Sequence, residues 1–272
     1  MPYTSALRIE NLRITYKDLG GDRFSKPRAL GFFEKEDTTT EKDLISDANI
    51  ELMNGETLCV SGPSGLGKSA LLRVIAGLIR PTSGKFYYFG EYIPPERHTA
   101  LEIAKRQVGL VFQNGALISN LRIKDNIALP LLYHRMGSPK EIEDKVNMAM
   151  DLMRVRSEAN LFPHQLSVGM QKRVAIARSW AMDPKLLLMD EPTAGLDNYN
   201  RRNLLPLIDN MRILFHTTIV IVTHDLLMAK ELNCNISFFH QKKITDPKSF
   251  DYWLHSDTDI ARDMFRDLRN YE

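Results

Sequence analysis

The stretch Gly62-Pro63-Ser64-Gly65-Leu66-Gly67-Lys68-Ser69, followed by Ala70, joins the residue types that polyphosphate chemistry needs. Glycines let the backbone curl so that successive N–H groups, with the N-terminus of a following helix, point at an anion. Lys68 offers a point charge to the terminal phosphates, and the Ser69 hydroxyl is placed to ligate Mg²⁺. The flanks agree, since residues 57–60 read as a short buried strand and 70–75 as an amphipathic helix. A bare glycine corner between strand and helix would need neither the lysine nor the serine. With both present, the stretch predicts a nucleoside triphosphate site.

Leu187-Leu188-Met189-Asp190-Glu191 is an apolar run ending in two acids. The first can hold a Mg²⁺ shell, and the second can orient and polarise a water for in-line attack at phosphorus. In isolation the pair would serve equally as a polar strand end. Leu166-Ser167-Val168-Gly169-Met170-Gln171 runs into a helical segment at 172–178. Its serine and glycine make a second place where helix-start amides can meet an anion. Pro192-Thr193-Ala194-Gly195-Leu196-Asp197 follows the acids, Thr223-His224-Asp225 ends the next apolar run, and Gln113 follows the run 108–112.

Positioning such groups requires strand ends, and the chain supplies them. The short continuous apolar runs 186–189 and 219–222 read as parallel strands buried on both faces, with further strands at 85–89, 108–112 and 235–240. Strands alternating with helices predict an α/β fold with a parallel sheet covered on both sides. Leu7, Ile9, Ile14 and Tyr16 form a strand-like opening in which Leu12 is out of step. Residues 18–43 turn polar and glycine-containing and read as a long loop or insertion, with Phe32-Phe33 an apolar exception. Helical spacing from 123 to 155 breaks around Gly137-Ser138-Pro139, where Ser138 and Glu141 form a capping-box pattern. An amphipathic terminal helix is expected over 256–270. Phe250, Tyr252, Trp253, Leu254, Ile260, Met264, Phe265 and Leu268 give this tail more apolar surface than a solvated one needs. It either grips a partner or folds back on its own domain.

The 272 residues suit one large domain, or a domain with a subdomain and a tail, and 43% hydrophobic with 26% charged residues is ordinary for a globular protein. A net charge of +2 without a long basic run argues against bulk nucleic-acid binding. Cys59 and Cys234 lie in apolar runs and read as core thiols rather than a disulfide or metal site. No apolar run approaches the roughly 20 residues that span a bilayer, and no leader is visible at Met1-Pro2-Tyr3-Thr4. The expectation is a cytosolic protein whose membrane association comes through a partner.

Taken together and in order, these motifs resemble the nucleotide-binding subunit of an ATP-binding cassette (ABC) transporter over roughly residues 5–240. The resemblance implies a P-loop NTPase with a mostly parallel core sheet, an N-terminal antiparallel β subdomain and a helical signature subdomain at about 114–180. Residues 1–240 would form the ATPase domain, carrying the 18–43 insertion, and 241–272 a helical tail. It implies ATP and Mg²⁺ as ligands. Tyr16 would stack on adenine (an aromatic there could also simply fill a strand surface), and Gly62, Pro63, Ser64, Gly65, Leu66, Gly67, Lys68, Ser69 and Ala70 would form the Walker A cradle. Asp190 would be the Walker B aspartate, Glu191 the carboxylate that polarises water, and His224 the switch histidine at the γ-phosphate. Gln113 would sense Mg²⁺ and the membrane partner, so that Ser69, Gln113 and Asp190 form the metal set. Leu166, Ser167, Val168, Gly169 and Met170 would be the signature that meets ATP held by a second copy, and Gly195, Leu196 and Asp197 the loop facing that copy. Val168 and Met170 depart from the family's usual glycine and glutamine, while Ser167 and Gly169 are retained.

Within the family, Gly115-Ala116-Leu117, then Asp125-Asn126 and Pro130-Leu131, are similar to the Mla-type phospholipid-trafficking ATPases, as are Met170 and the tail from Ser256 to Phe265. Ala194-Gly195-Leu196-Asp197 keeps the general family form. That likeness implies an integral-membrane permease, a lipid-carrying MCE-type protein and a second copy of the chain as partners, at the cytoplasmic face of the inner membrane, with no nucleic acid. A lipoprotein-release or cell-division ATPase using the same engine is the alternative. A soluble cassette acting on DNA or ribosomes would need a second cassette, a coiled-coil insertion or zinc cysteines, and a small P-loop kinase would have no use for residues 166–170.

Overall fold

The computed structural model describes residues 5–15, 43–63, 65–105 and 107–269. In chain order the elements begin with β1 (Ser5–Thr15), β2 (Asp43–Met53), β3 (Thr57–Ser61), α1 (Lys68–Ile75), β4 (Ser83–Tyr88) and β5 (Glu91–Ile93). There follow α2 (Ala100–Ala104), β6 (Val108–Val111), α3 (Ile123–Tyr133), α4 (Pro139–Leu152), α5 (Val168–Trp180), β7 (Leu186–Asp190) and α6 (Asn198–Phe215). The chain closes with β8 (Thr218–Val222), α7 (Leu226–Glu231), β9 (Asn235–His240), β10 (Lys243–Ile244), α8 (Phe250–His255), α9 (Asp259–Met264) and α10 (Arg266–Arg269).

Two sheets result. An antiparallel sheet has the order β2-β1-β4-β5, and the core sheet the order β10-β9-β3-β8-β7-β6. Pairings among β3, β6, β7, β8 and β9 are parallel, and β10 joins β9 antiparallel. Every residue of β3, β7 and β8 is buried, and their period-two alternation divides two cores. Cys59, Leu187, Met189, Ile219 and Ile221 face the core shared with the helices α3 to α6 and the tail. Leu58, Val60, Leu186, Leu188, Val220 and Val222 face α1 and the antiparallel sheet. Each such side chain contributes about 1.5–3 kcal/mol by burial, so the strand ends that carry the polar groups are held rigidly.

Leu12 is fully buried although it breaks the alternation of β1. The β1–β2 ladder shifts register between Ile9 and Leu12, with Asn11 at φ 52° and its N–H donating to Asn49 Oδ1 at 2.9 Å. One bulged step restores the inward face. The capping box at α4 forms as the spacing predicts, with Glu141 N donating to Ser138 Oγ at 3.4 Å and Ser138 N to Glu141 Oε2 at 2.7 Å. Among the described residues no helix is long and apolar enough to cross a membrane.

The tail differs from the expected single helix over 256–270. Ser256 and Thr258 are extended (ψ 135° and 148°) and separate the segment from α8, and at Phe265 (φ −105°, ψ 8°) it divides into α9 and α10. Arg269 closes the corner by donating to Ser256 O at 2.6 Å. Its apolar face covers its own domain: Phe250, Trp253, Leu254, Ile260 and Phe265 are buried. The Trp253 ring meets Phe238 edge-on at 4.9 Å, and its Nε1–H donates to Ile236 O at 2.8 Å. Of the two readings of that face the fold-back holds, and these buried side chains offer nothing to a partner. Tyr16, Ser64 and the 18–43 stretch up to Lys42 lie outside the described residues.

Candidate nucleotide site

β3 delivers the chain into the glycine-rich loop at Ser61. Gly62 has φ 143°, and a Cβ built there would lie 2.7 Å from the Phe239 carbonyl oxygen, so the neighbouring strand β9 leaves room for no side chain. Gly67, at φ 100°, is the N-cap of α1, which starts at Lys68. Lys68 is 6% exposed and curls back to donate to the carbonyls of Gly62 at 2.7 Å and Pro63 at 2.8 Å. Burial pulls its pKa down, opposed by the carboxylates Glu191 and Asp190. One helical step on, Ser69 Oγ donates to Asp190 Oδ1 at 3.0 Å, tying the loop to the end of β7.

Glu191 follows Asp190 in the left-handed region, φ 47°, with its N–H donating to Val222 O at 2.8 Å. A non-glycine residue held there stores strain, a feature concentrated at functional sites. Burial raises its pKa, partly offset by His224, whose Nε2 lies 2.9 Å from Glu191 Oε1 and whose N–H donates to Oε2 at 3.3 Å. A cavity of about 400 Å³ is lined by Gly65, Gly67, Lys68, Ser69, Ala70, Arg73, Gln113, Glu191, Val222 and His224. Ser69 Oγ, on the cavity, and Asp190 Oδ1, bonded to it, are hard oxygen donors side by side, and Gln113 also lines the cavity, a donor set that fits Mg²⁺. These three residues would hold the ion.

The signature residues stand apart from that cavity. Ser167 N-caps α5 by accepting from Met170 N at 3.3 Å, and Val168 is 55% exposed. A Cβ on Gly169 would come 3.0 Å from Asn200 Oδ1 on α6, so its smallness is used in packing. Leu166 is buried and Met170 is partly buried against the core, so their side chains anchor the helix start. Val168 shares a second cavity, about 370 Å³, with Gln113, Asn114, Gly115, Gln171, Lys172, Ala194 and Gly195. Leu196 packs partly buried, and Asp197 caps α6 by accepting from Asn200 N at 2.7 Å. The structure thus gathers residues of the phosphate loop, Glu191, His224 and Gln113 around one cavity, with Asp190 bonded to Ser69 beside it, and places none of residues 166–170 in its lining.

Four polar residues with structural roles here escaped the sequence reading. Lys172, 6% exposed, donates to Gln113 O at 2.5 Å and Glu191 O at 3.0 Å. Arg178 donates to the carbonyls of Gly115 and Ala116, both at 2.7 Å. Asn126, fully buried, accepts from Ile118 N at 2.8 Å and donates to the carbonyls of Ile118, Leu121 and Arg122. Arg201 on α6 grips Asp225, the residue after His224, and donates to Glu231 at 2.7 Å. For Lys172 and Arg178 the available signal was the helix itself: Val174-Ala175-Ile176-Ala177 is buried without interruption, leaving polar neighbours little solvent face.

The profile of the ABC transporter family matches residues 45–194. The chain is 38% identical over 200 residues to the sulfate/thiosulfate import ATP-binding protein CysA of Mesostigma viride, covering 74% of this chain and 56% of that one. It is 34% identical over 194 residues to the lipoprotein-releasing system ATP-binding protein LolD 1 of Chlorobium chlorochromatii, covering 71% and 79%. The chain therefore spans about half the length of the first relative and most of the second. Among solved structures, the dimeric post-hydrolysis state of the ATP-binding cassette MJ0796 bound to ADP and Pi superposes with a TM-score of 0.72 at 26% identity, covering 90% of this chain and 98% of that one.

Proposed function

The chain belongs to the ABC transporter family of ATP-hydrolysing transport cassettes, and on that footing we propose that it is the subunit that binds and hydrolyses ATP to drive a membrane permease. The observation that carries this reading is the division of the site. Lys68, Ser69, Gln113, Glu191 and His224 line one cavity, whereas Ser167 and Gly169 lie elsewhere. The helix-start amides of residues 167–169 therefore do not line this cavity and would be supplied by a second copy, head to tail, as the dimeric likeness supports.

In this mechanism Lys68 exchanges its carbonyl partners for phosphate oxygens. Glu191 accepts the proton of the attacking water as the new bond to phosphorus forms and the bond to the ADP oxygen breaks. His224 positions Glu191 through the contacts to both carboxylate oxygens. Mg²⁺, held by Ser69, Asp190 and Gln113, would supply charge neutralisation at the phosphates. Tyr16 is assigned to adenine, and Gly195, Leu196 and Asp197 to the partner copy. Loss of the γ-phosphate removes the contacts that favour the closed dimer, which converts hydrolysis into motion.

The finer reading is phospholipid trafficking between envelope membranes, with an MCE-type partner and a peripheral position at the cytoplasmic face of the inner membrane. It rests on Gly115-Ala116-Leu117, Asp125-Asn126, Pro130-Leu131 and Met170. The lipoprotein-releasing relative favours mechanical work on lipoproteins as the second reading. Glu191→Gln should bind ATP with near-normal affinity, assemble into an ATP-dependent dimer and turn over about 10²–10⁴-fold more slowly; Lys68→Ala should weaken binding. Near-normal hydrolysis by Glu191→Gln would sink the assignment. Mass spectrometry of proteins retained from detergent-solubilised membranes decides between the lipid and lipoprotein machines.

A further inference from the structure

We propose that Lys172 is a positioning residue that fixes the spacing between the segment carrying Gln113 and the backbone of Glu191. This rests on the assignment of Glu191 above. Lys172 lies on α5, shortly after Ser167 and Gly169, and its ammonium reaches two carbonyls that belong to different strand ends. Gln113 follows β6 and Glu191 follows β7, and the bonds are 2.5 and 3.0 Å. The side chain is 6% exposed. Removing an ammonium from water is expensive, and two neutral carbonyls compensate it incompletely. A purely packing role would be served better by leucine or methionine. Burial pulls the Lys172 pKa down, and the charges of Glu191 and Asp190 oppose that pull.

A second contact on the same helix shows what the lysine connects. Arg178 holds the carbonyls of Gly115 and Ala116 at 2.7 Å each. Helix α5 therefore grips the 113–116 segment at two points, and the segment travels with it. Lys172 is where this helix-and-loop unit also touches the backbone of Glu191, itself held in the left-handed region. Any rotation of α5 that follows engagement of Ser167 and Gly169 displaces Nζ, and the 113–116 segment with it, relative to the carbonyl of Glu191. Through that displacement, the state of the signature helix reaches the position of Gln113 and the orientation of Glu191.

The test uses the full chain, purified with the membrane partner that accompanies it, and compares Lys172→Met, Lys172→Gln and Glu191→Gln. Methionine keeps the length and removes the donors; glutamine is neutral and retains two N–H donors. Lys172→Met should lower kcat about tenfold or more, with ATP affinity within about twofold of wild type, the pattern of a lost transition-state arrangement. Lys172→Gln should recover kcat to within about threefold. Three outcomes overturn the inference: unchanged kcat in Lys172→Met, parallel loss of kcat, ATP binding and Tm in both variants, or Lys172→Gln as slow as Lys172→Met. A silent Glu191→Gln beside a fast Lys172→Met defeats the lysine alone. A Glu191→Gln that hydrolyses normally defeats both assignments.

Discussion

Glu191 sits under two opposed influences. Burial raises its pKa, and the adjacent His224 works against that rise. The net direction is upward, so as pH falls the carboxylate protonates earlier than an ordinary glutamate and loses its capacity to accept a proton. We expect the acid limb of kcat against pH to lie above the usual carboxylate range, with ATP binding unaffected over the same interval. A limb in the ordinary range would show that His224 outweighs burial. At this scale the sequence was most informative for residues whose side chains perform chemistry. Lys68, Ser69, Asp190, Glu191, His224 and Gln113 could be chosen because polyphosphate and water dictate their types. Lys172, Asn126 and Arg201 could not, because their partners are mostly backbone carbonyls or residues far along the chain, and nothing in a linear pattern announces those.

Between elements, polar clamps set the joints. Asn126 satisfies the turn between Ile118 and Arg122 from inside α3. Asn126→Ala would leave several of these buried groups without partners, at roughly 1–3 kcal/mol for an unsatisfied group. The expected loss in chemical denaturation is about 2–4 kcal/mol, well above the ~1 kcal/mol expected from removing the exposed cap with Ser138→Ala. A similar joint holds the far end of the phosphate-loop helix. Tyr88 donates its hydroxyl to Ile75 O at 2.6 Å and meets His98 Nε2 at 3.1 Å. His98 is buried, and burial pushes its pKa down to about 4. A depressed folded-state pKa contributes stability that is present above the unfolded value near 6.5 and lost as pH falls toward about 4. His98→Phe should therefore show a flatter Tm profile than wild type between those two values. Equal slopes would mean that His98 is not held neutral. Element types were legible in the continuous apolar runs of β7 and β8 and in the helical spacing of α4. The tail was not, because the apolar spacing of 256–270 is helical while the backbone leaves the helix at Phe265, between α9 and α10.

The whole molecule is closed by its C-terminal segment. Trp253, Leu254, Ile260 and Phe265 complete the core beside Phe238. Truncation of one such large side chain removes about 2–5 kcal/mol, and whole domains hold a margin of about 5–15 kcal/mol. Deletion of everything after His240 takes several at once and leaves Ile236 O without its indole donor. The expected product is an aggregating chain without ATP binding, read by size-exclusion chromatography and nucleotide titration. A soluble truncated chain that binds ATP would show that the segment is dispensable to the fold. The parallel pairing of the core sheet followed from the alternation of strands and helices, whereas its strand order and its closure by the tail depend on contacts that no local pattern encodes.

Cys59 and Cys234 are reduced, nearly inaccessible, and have sulfurs 3.2 Å apart where β3 meets the start of β9. They therefore form a clock for solvent entry at the root of the phosphate loop. An alkylating reagent can mark either sulfur only during an excursion that parts these strands, so the marking rate counts such excursions. Ligand that binds only the closed form suppresses them in proportion to its saturation. With ATP at about one hundred times its Kd, marking should slow by about two orders of magnitude, and this protection would be visible without following hydrolysis at all.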